Sequence, residues 1–435
     1  MTATLQHVAV PEGRRPSPGL APGTELLGAY RDSGRIEAPS IIRRNDGRMM
    51  EVSPLLHQLA AALDPGRDLE WVATQLGASV GRSISAGSVA YLIDNKLRPL
   101  GVLADSPPAD QRRSTADVPG LTLHAGVVPA PVVRASTTLL RPLFLPPVVI
   151  LALALVINAD VWLWRSHQVG AGLRQVLTEP ALMLGVVALT LVAGAFHELG
   201  HATASRYAGA EPGVIGAGIY LLWPVFYNDL DDSYRLGRTD RLRCDLGGVY
   251  FNVLFILVLV GAFGLTGFTP LLVVAAAQHL AILQQFLPFV RLDGYYVVSD
   301  LAGVPDLFGR IRPVLASLVP GRSAGRAASD LKPYARILVT VWVLLTVPAL
   351  AASLLYLGLR LPSLATGIAG SAASLAESVG SGKLSVAALD GLSLLALAIP
   401  LVGLTAALVR AARRGSDPVV SRRIATAVLT FGAPR

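Results

Sequence analysis

From Leu143 onward the chain alternates long apolar stretches with polar ones, and this limits the possible folds more than any other feature. Six stretches, at about 143–164, 181–205, 244–265, 269–290, 334–357 and 387–410, approach or exceed the roughly 20 residues that a helix needs to cross the hydrocarbon core of a bilayer. Composition agrees. Of 435 residues, 52% are hydrophobic and 15% charged, whereas charged residues make up about a quarter of an ordinary soluble domain. A soluble fold of this size would need the missing charge on its surface, so the apolar excess must face lipid at least in part. The intervening stretches 206–243 and 291–333 are too polar to span as helices. Ile215–Tyr227 is apolar but only about half a span, and reads as a re-entrant hairpin or strand pair. Residues 361–380 are small and weakly amphipathic and read as an interfacial helix.

The formal charge of +8 raises the question of a nucleic-acid partner, and its distribution answers it. Residues 22–104 hold nine basic and nine acidic residues. The excess lies beyond residue 142, with 22 basic against 16 acidic residues between and after the apolar segments. Nucleic-acid binders concentrate positive charge on the recognition module, so this class is excluded. The arginines instead give an orientation. Arg206, Arg235, Arg238, Arg241 and Arg243 fall on one side, with Arg310, Arg312, Arg322, Arg326 and Lys332, then Arg413, Arg414, Arg422 and Arg423. The opposite loops carry Arg165 with Arg174, then Arg360 with Lys383. The positive-inside rule places the first set, and both termini, in the cytoplasm. The skew of 34 Arg to 3 Lys fits a GC-rich bacterial genome, and hence a bacterial plasma membrane. No internal repeat or second set of charged spans argues for a transporter.

The N-terminal 21 residues lack the apolar core and cleavage site of a secretory signal, and their Pro and Gly content predicts a disordered tail. Residues 22–104 read as a small cytoplasmic domain. Ile41-Ile42 and Met49–Val52 flank Asn45-Asp46-Gly47, a hairpin signal. Ser53-Pro54 opens a helix with Leu55, Leu56, Leu59, Ala60 and Leu63 on one stripe. A second helix carries Leu69, Val72, Ala73 and Leu76, and a third, from Ser85, carries Val89, Leu92 and Ile93 toward Leu103. A hairpin with three short helices is a winged-helix α+β pattern. Residues 105–141 read as a linker with one strand-like stretch, Leu121–Val128.

The second apolar segment contains His197-Glu198-Leu199-Gly200-His201. Histidines at i and i+4 project from one helical face about a turn apart, so both imidazoles reach one zinc ion. Glu198 lies beside that metal and can take a proton from water. It is the one carboxylate between Ala181 and Ala210, and a carboxylate in a membrane helix costs several kcal/mol unless it has a partner or a function. A catalytic zinc needs a third protein ligand and an open position. Asp293, in Leu292-Asp293-Gly294 just past the fourth span, is the leading candidate, with Gly294 letting the backbone turn. His279 lies mid-span and reads as structural, paired with Gln278 or Gln284. His7, His57, His124 and His167 show no ligand spacing, and the single cysteine, Cys244, excludes a disulfide framework and reads as a small apolar residue. Asp229, Asp231 and Asp232 read as a solvated loop.

These motifs resemble those of the site-2 protease family of intramembrane zinc metallopeptidases. The resemblance covers roughly residues 140–300. It implies that His197, His201 and Asp293 bind one zinc ion per chain and that Glu198 is the catalytic glutamate. Where the family has an Asn three residues before the Pro of its second motif, this chain has Gln285. Gly247-Gly248-Val249-Tyr250-Phe251-Asn252 resembles the family's small-residue motif, with Gly in place of the more usual Pro. Asn252 and Gln285 are thereby candidates for positioning substrate, with interhelical packing the alternative for Asn252. The stretch Pro224–Asp229, continuing to Tyr234-Arg235-Leu236, resembles a bacterial branch tied to peptide natural products. The N-terminal domain is similar to the PqqD-like peptide-recognition domains of ribosomal-peptide biosynthesis, which take a leader peptide as an added strand.

The expected protein is a polytopic α-helical membrane protein with about six transmembrane helices and an N-terminal winged-helix domain. Its order is a tail over 1–21, the PqqD-like domain over 22–104, a linker over 105–141, and the zinc metalloprotease core over 142–300. A cytoplasmic loop, two further transmembrane helices and a basic tail fill 301–435. The expected activity is endoproteolysis of a peptide or membrane-anchored precursor, foremost removal of a leader from a modified ribosomal peptide. The alternatives are a non-proteolytic membrane partner that passes a peptide to an exporter, and a regulatory protease acting on a membrane-anchored protein.

Overall fold

The computed structural model describes residues 15–46, 49–106, 121–220, 223–317 and 330–395. The first unit is a three-stranded antiparallel sheet, β1 (Glu25–Ala29), β2 (Ser40–Arg43) and β3 (Met49–Val52), in that order across the sheet. It packs against α1 (Pro54–Ala62), α2 (Leu69–Val80) and α3 (Ala86–Leu92). Each helix starts where a side-chain oxygen accepts a backbone N–H: Ser53 from Leu56, Asp68 from Trp71 and Ser85 from Ser88. Such caps satisfy donors that the first turn leaves free. Gly81 closes α2 at φ 69, a left-handed conformation that suits glycine. Ile42, Val52, Leu59, Leu69, Val72, Leu76, Val89 and Leu97 form the core, each large side chain contributing about 1.5–3 kcal/mol on burial.

Two features differ from the sequence reading. β1 is a third strand, with Leu26 opposite Ile42 across a bulge at Leu26/Gly28; a short strand interrupted by glycine leaves little alternation to read. Residues 15–21 are not a free tail, because Pro16 pairs with Asp68 and Leu20 with Leu103. Backbone pairing, which composition does not report, ties them down. Residues 1–14, including His7, lie outside the described residues, as do Gly47 and Arg48 of the hairpin turn.

Within the stretch read as linker, β4 (Leu121–Val128) forms and α4 (Ala130–Leu140) follows it. The helix is a departure from the linker reading. Its Val133 and Thr137 are buried, with Val133 packed on Ala202 and Ile215, so an apolar face too short to stand out becomes a helix by docking. Next come α5 (Pro146–Ser166), α6 (Gln168–Thr178) and α7 (Pro180–Tyr207). β5 (Ile215–Tyr220) and β6 (Trp223–Asn228) form the expected strand pair, and β4 joins them in a second antiparallel sheet of order β4-β5-β6. The chain continues through α8 (Arg238–Asp245), α9 (Gly247–Thr266), α10 (Pro270–Gln285), α11 (Asp293–Ala302), α12 (Ile311–Ser317) and α13 (Pro333–Gly380).

Among the described residues, four helices are long and apolar enough to cross a membrane: α5, α7, α9 and the Pro333–Arg360 part of α13. They expose Ile150, Ile157, Val258, Leu265, Leu345 and Leu355, an outward apolar surface that water would penalise. The predicted fourth span, 269–290, is corrected: α10 ends at Gln285 after 16 residues, about 24 Å of helix. Pro288 lacks an N–H and disfavours helix at the residue before it, so the segment opens into irregular chain before Asp293. The predicted sixth span is helical over Leu384–Leu395, and its remainder, with the basic tail, lies outside the described residues. Residues 361–380 are not a separate interfacial helix, since α13 runs on through Pro348 and Pro362. α7 packs closely on α9: a Cβ on Gly200 would meet Gly247 O and lie 2.7 Å from Phe251 Cγ, and a Cβ on Gly247 would lie 2.7 Å from Gly200 O. Small residues at such crossings let backbones approach.

Candidate metal centre

The approach of α7 and α9 sets the depth at which two histidines lie. His197 and His201 are buried near the end of α7, one turn apart on one face. Their rings cross at 81° with centroids 4.7 Å apart, and the two Nε2 atoms are 3.1 Å apart. Asp293 is the first residue of α11. One of its carboxylate oxygens lies 3.2 Å from His197 Nε2 and the other 3.3 Å from His201 Nε2. Helical spacing alone brings the histidines together; only the fold brings Asp293.

His201 Nδ1 lies 2.7 Å from the carbonyl oxygen of Cys244. A carbonyl accepts only, so Nδ1 carries the proton and Nε2 presents a lone pair toward His197 and Asp293, as a metal-ligating histidine requires. Three electron-rich groups therefore converge on one buried point. Asp293 Oδ2 makes no hydrogen bond among the described residues, and a charge buried without compensation is costly. A shared cation removes that cost. His197, His201 and Asp293 offer one ligand atom each, all within 4.8 Å of one another, and can hold a metal ion.

The floor of this site is a glycine. A Cβ on Gly248 would lie 2.5 Å from His197 Nε2 and press on His201 Nε2 as well, inside the space any bound ion and its ligands need. Asn252 is buried one turn further along α9, on the same face as Gly248. Gln285 closes α10 and is half-buried. Its carbonyl lies 3.0 Å, and Phe286 Cα 2.7 Å, from where a Cβ on Gly294 would sit. Gly294 is thus needed for close backbone approach inside a helix rather than for the turn predicted from Asp-Gly. Glu198 is half-buried beside His197, outside the group of three ligands.

Three contributions were not legible as site features. The Cys244 backbone carbonyl orients His201, a role no side-chain pattern marks. Gly248 gives the ligands room, for which two adjacent glycines in an apolar helix were the available signal. Asn228 ends β6, and its Nδ2 donates to the Glu198 carbonyl oxygen at 2.9 Å, pinning the sheet to the turn of α7 that carries the histidines. Of the aspartates read as a solvated loop, Asp229 accepts from the Asp231 N–H and Asp232 from the Glu211 N–H, with Arg235 2.7 Å from Asp232. His279 pairs with neither Gln278 nor Gln284 as read from the sequence. Its Nε2 lies 3.0 Å from Asp160 Oδ1 on α5, a partner 119 positions away that only packing supplies.

Neither protein-family models, nor curated proteins, nor solved structures match this chain.

Proposed function

We propose that this chain is an intramembrane zinc metalloendopeptidase of site-2 protease type, with both termini in the cytoplasm of a bacterial cell and a peptide-recognising winged-helix domain at its N-terminus. The observation that carries the reading is the convergence of His197, His201 and Asp293 next to Glu198 at the end of an apolar helix. Ligand atoms about 2.0–2.1 Å from zinc in a tetrahedral site are roughly 3.3 Å apart; here the two Nε2 atoms are 3.1 Å apart, one Asp293 oxygen lies 3.2 Å from His197 Nε2 and the other lies 3.3 Å from His201 Nε2. Two imidazoles and one carboxylate leave a fourth position open, the pattern of a catalytic rather than a structural site.

Zinc, when bound, would polarise a scissile carbonyl and acidify water. Glu198 takes the proton from that water and returns it to the departing amine, so it serves as base and then acid. Asn228 holds the Glu198 backbone against β6, which fixes where the carboxylate starts from. β6 is the outer strand of the β4-β5-β6 sheet, and an extended substrate added along it would run toward Glu198, its backbone paired in register. β3, an edge of the first sheet, is the strand to which a leader peptide would add. With that domain attached, leader removal from a modified ribosomal peptide is the favoured reaction.

The test is co-expression with a short precursor peptide encoded beside the gene, comparing wild type with Glu198→Gln by mass spectrometry. The substitution keeps size and most hydrogen bonding but removes the base. A shortened peptide from the wild type alone supports the reading. Identical full-length peptide from both, with zinc bound to both, sinks it.

A further inference from the structure

The loop between β1 and β2 leaves its own domain and enters the region beneath the metal centre. Tyr30 donates its hydroxyl to Asp300 Oδ1 at 3.1 Å, and the Arg241 guanidinium lies 4.5 Å over the Tyr30 ring. Arg241 in turn donates from Nε to the same Asp300 oxygen at 2.8 Å and from Nη1 to Leu236 O at 2.7 Å. Asp32 accepts the Arg238 N–H at 3.0 Å, and its carbonyl accepts from the Arg238 guanidinium at 2.7 Å. Arg238 is the first residue of α8, so a residue of the N-terminal domain satisfies a donor at the start of a helix in the other domain. Asp32 does this at φ 58, a left-handed conformation that costs a non-glycine residue about 1 kcal/mol. Gly34 then donates its N–H to Gly303 O at 2.9 Å, and its carbonyl accepts from the Lys332 N–H at 2.8 Å. A Cβ on Gly34 would overlap Ala302 O and lie 2.9 Å from Ala335 Cβ. The loop is wedged rather than draped.

Its grip falls on the two helices that complete the metal centre. α8 begins on Asp32 and reaches, near its C-terminal end, the Cys244 carbonyl that holds His201. α11 begins on the ligand Asp293 and ends, through Asp300 and Gly303, on Tyr30 and Gly34. Both helices are short, 8 and 10 residues, and isolated helices of that length are marginal in water. Their orientation depends on tertiary contacts: the packing of Tyr295 and Ala302 with Ala335 and Trp342 along α11, and the bonds that clamp the helix ends. Resting on the reading of His197, His201 and Asp293 as metal ligands, we propose that the Tyr30–Ile36 loop is a brace that positions the metal centre through α8 and α11. Tyr30 and Asp32 are its positioning residues. Whatever peptide the N-terminal domain binds then acts on a structure mechanically continuous with the metal ligands, and by reciprocity metal occupancy acts back on peptide binding.

The experiment uses the full chain in detergent and measures zinc affinity by chelator competition, with cobalt substitution as a spectroscopic report on ligand geometry. Asp32→Ala and Tyr30→Phe are each expected to weaken zinc binding roughly tenfold or more, the size of effects from groups that orient metal ligands, and Asp32→Ala to alter the cobalt ligand-field bands. Asp32→Asn still accepts the Arg238 N–H and should restore both. Asp68→Ala removes the α2 cap inside the N-terminal domain and should leave zinc affinity unchanged. Wild-type affinity and bands in both Asp32→Ala and Tyr30→Phe overturn the brace. So does an equal loss in Asp68→Ala, which would reduce the effect to general destabilisation. Failure of the wild type itself to bind zinc overturns the metal reading, and the brace with it.

Discussion

Gly248 lies beneath His197 so closely that a single added carbon would stand 2.5 Å from the imidazole Nε2. The backbones cannot separate cheaply, because α9 is pressed to α7 by the Gly200–Gly247 contact, and the added carbon would crowd His197 and His201 together. Gly248→Ala should therefore abolish zinc binding, taking the metal content of purified protein from one ion per chain to near zero. Gly261 lies on the same helix with open space about its Cα. Gly261→Ala should keep full occupancy, since alanine in a helix interior is favoured by up to about 1 kcal/mol. Stripping zinc from wild type with a chelator should reproduce the Gly248→Ala state, and metal analysis with thermal unfolding checks both.

Asn228 joins the second sheet to the turn of α7 that carries Glu198 by one hydrogen bond, from Nδ2 to Glu198 O. Asn228→Ala removes that donor without touching the ligand side chains themselves. Turnover of a cleaved peptide should fall about tenfold, comparable to losing 1–2 kcal/mol of a hydrogen bond to a buried acceptor, with zinc affinity unchanged. A parallel loss of zinc would show instead that Asn228 supports the ligands.

The His279–Asp160 pair links α10 to α5 at 3.0 Å. His279 Nδ1 also lies 2.9 Å from Ala275 O in its own helix. A double-mutant cycle of His279→Ala and Asp160→Asn should give a coupling on the order of 1 kcal/mol, the scale of polar contacts between membrane helices. Unfolding in mixed detergent measures it, and strictly additive single effects would refute the contact.

His57 accepts the Gly28 N–H on Nε2 at 3.2 Å, which requires a neutral ring. Burial holds its pKa below the ordinary 6.5. The unfolded chain thus binds the proton more readily than the folded one. The stability from this group is present above about 6.5 and is lost as pH falls through the lower folded value. An imidazole carbon resonance of His57 should titrate with a midpoint under 6.5. Exchange protection at Gly28, corrected for intrinsic rate, should fall as the pH drops below about 6.5 and the ring is protonated.

Part of this arrangement is local and could be read directly. His197 and His201 share a face because a helix repeats every 3.6 residues, whatever surrounds it. The stripe Leu69, Val72, Ala73 and Leu76 is buried for the same reason, and Ser53, Asp68 and Ser85 cap the helices they precede. Each of these depends on neighbours within one or two turns. Hydropathy overstates the length of α10 because it averages over Pro288, whereas hydrogen bonding does not.

What the sequence by itself determined is the pair of histidines with Glu198 between them, the apolar helices that carry them and the small α+β domain ahead of them. The tertiary structure decided the rest. Asp293 meets the histidines across two strands and three helices, Gly248 acquires its role from a crossing with another helix, and Tyr30 and Asp32 reach the supports of the candidate metal centre from a different domain. Periodicity encodes which face of an element a residue occupies. Which distant element that face meets follows from packing, a property of the whole chain.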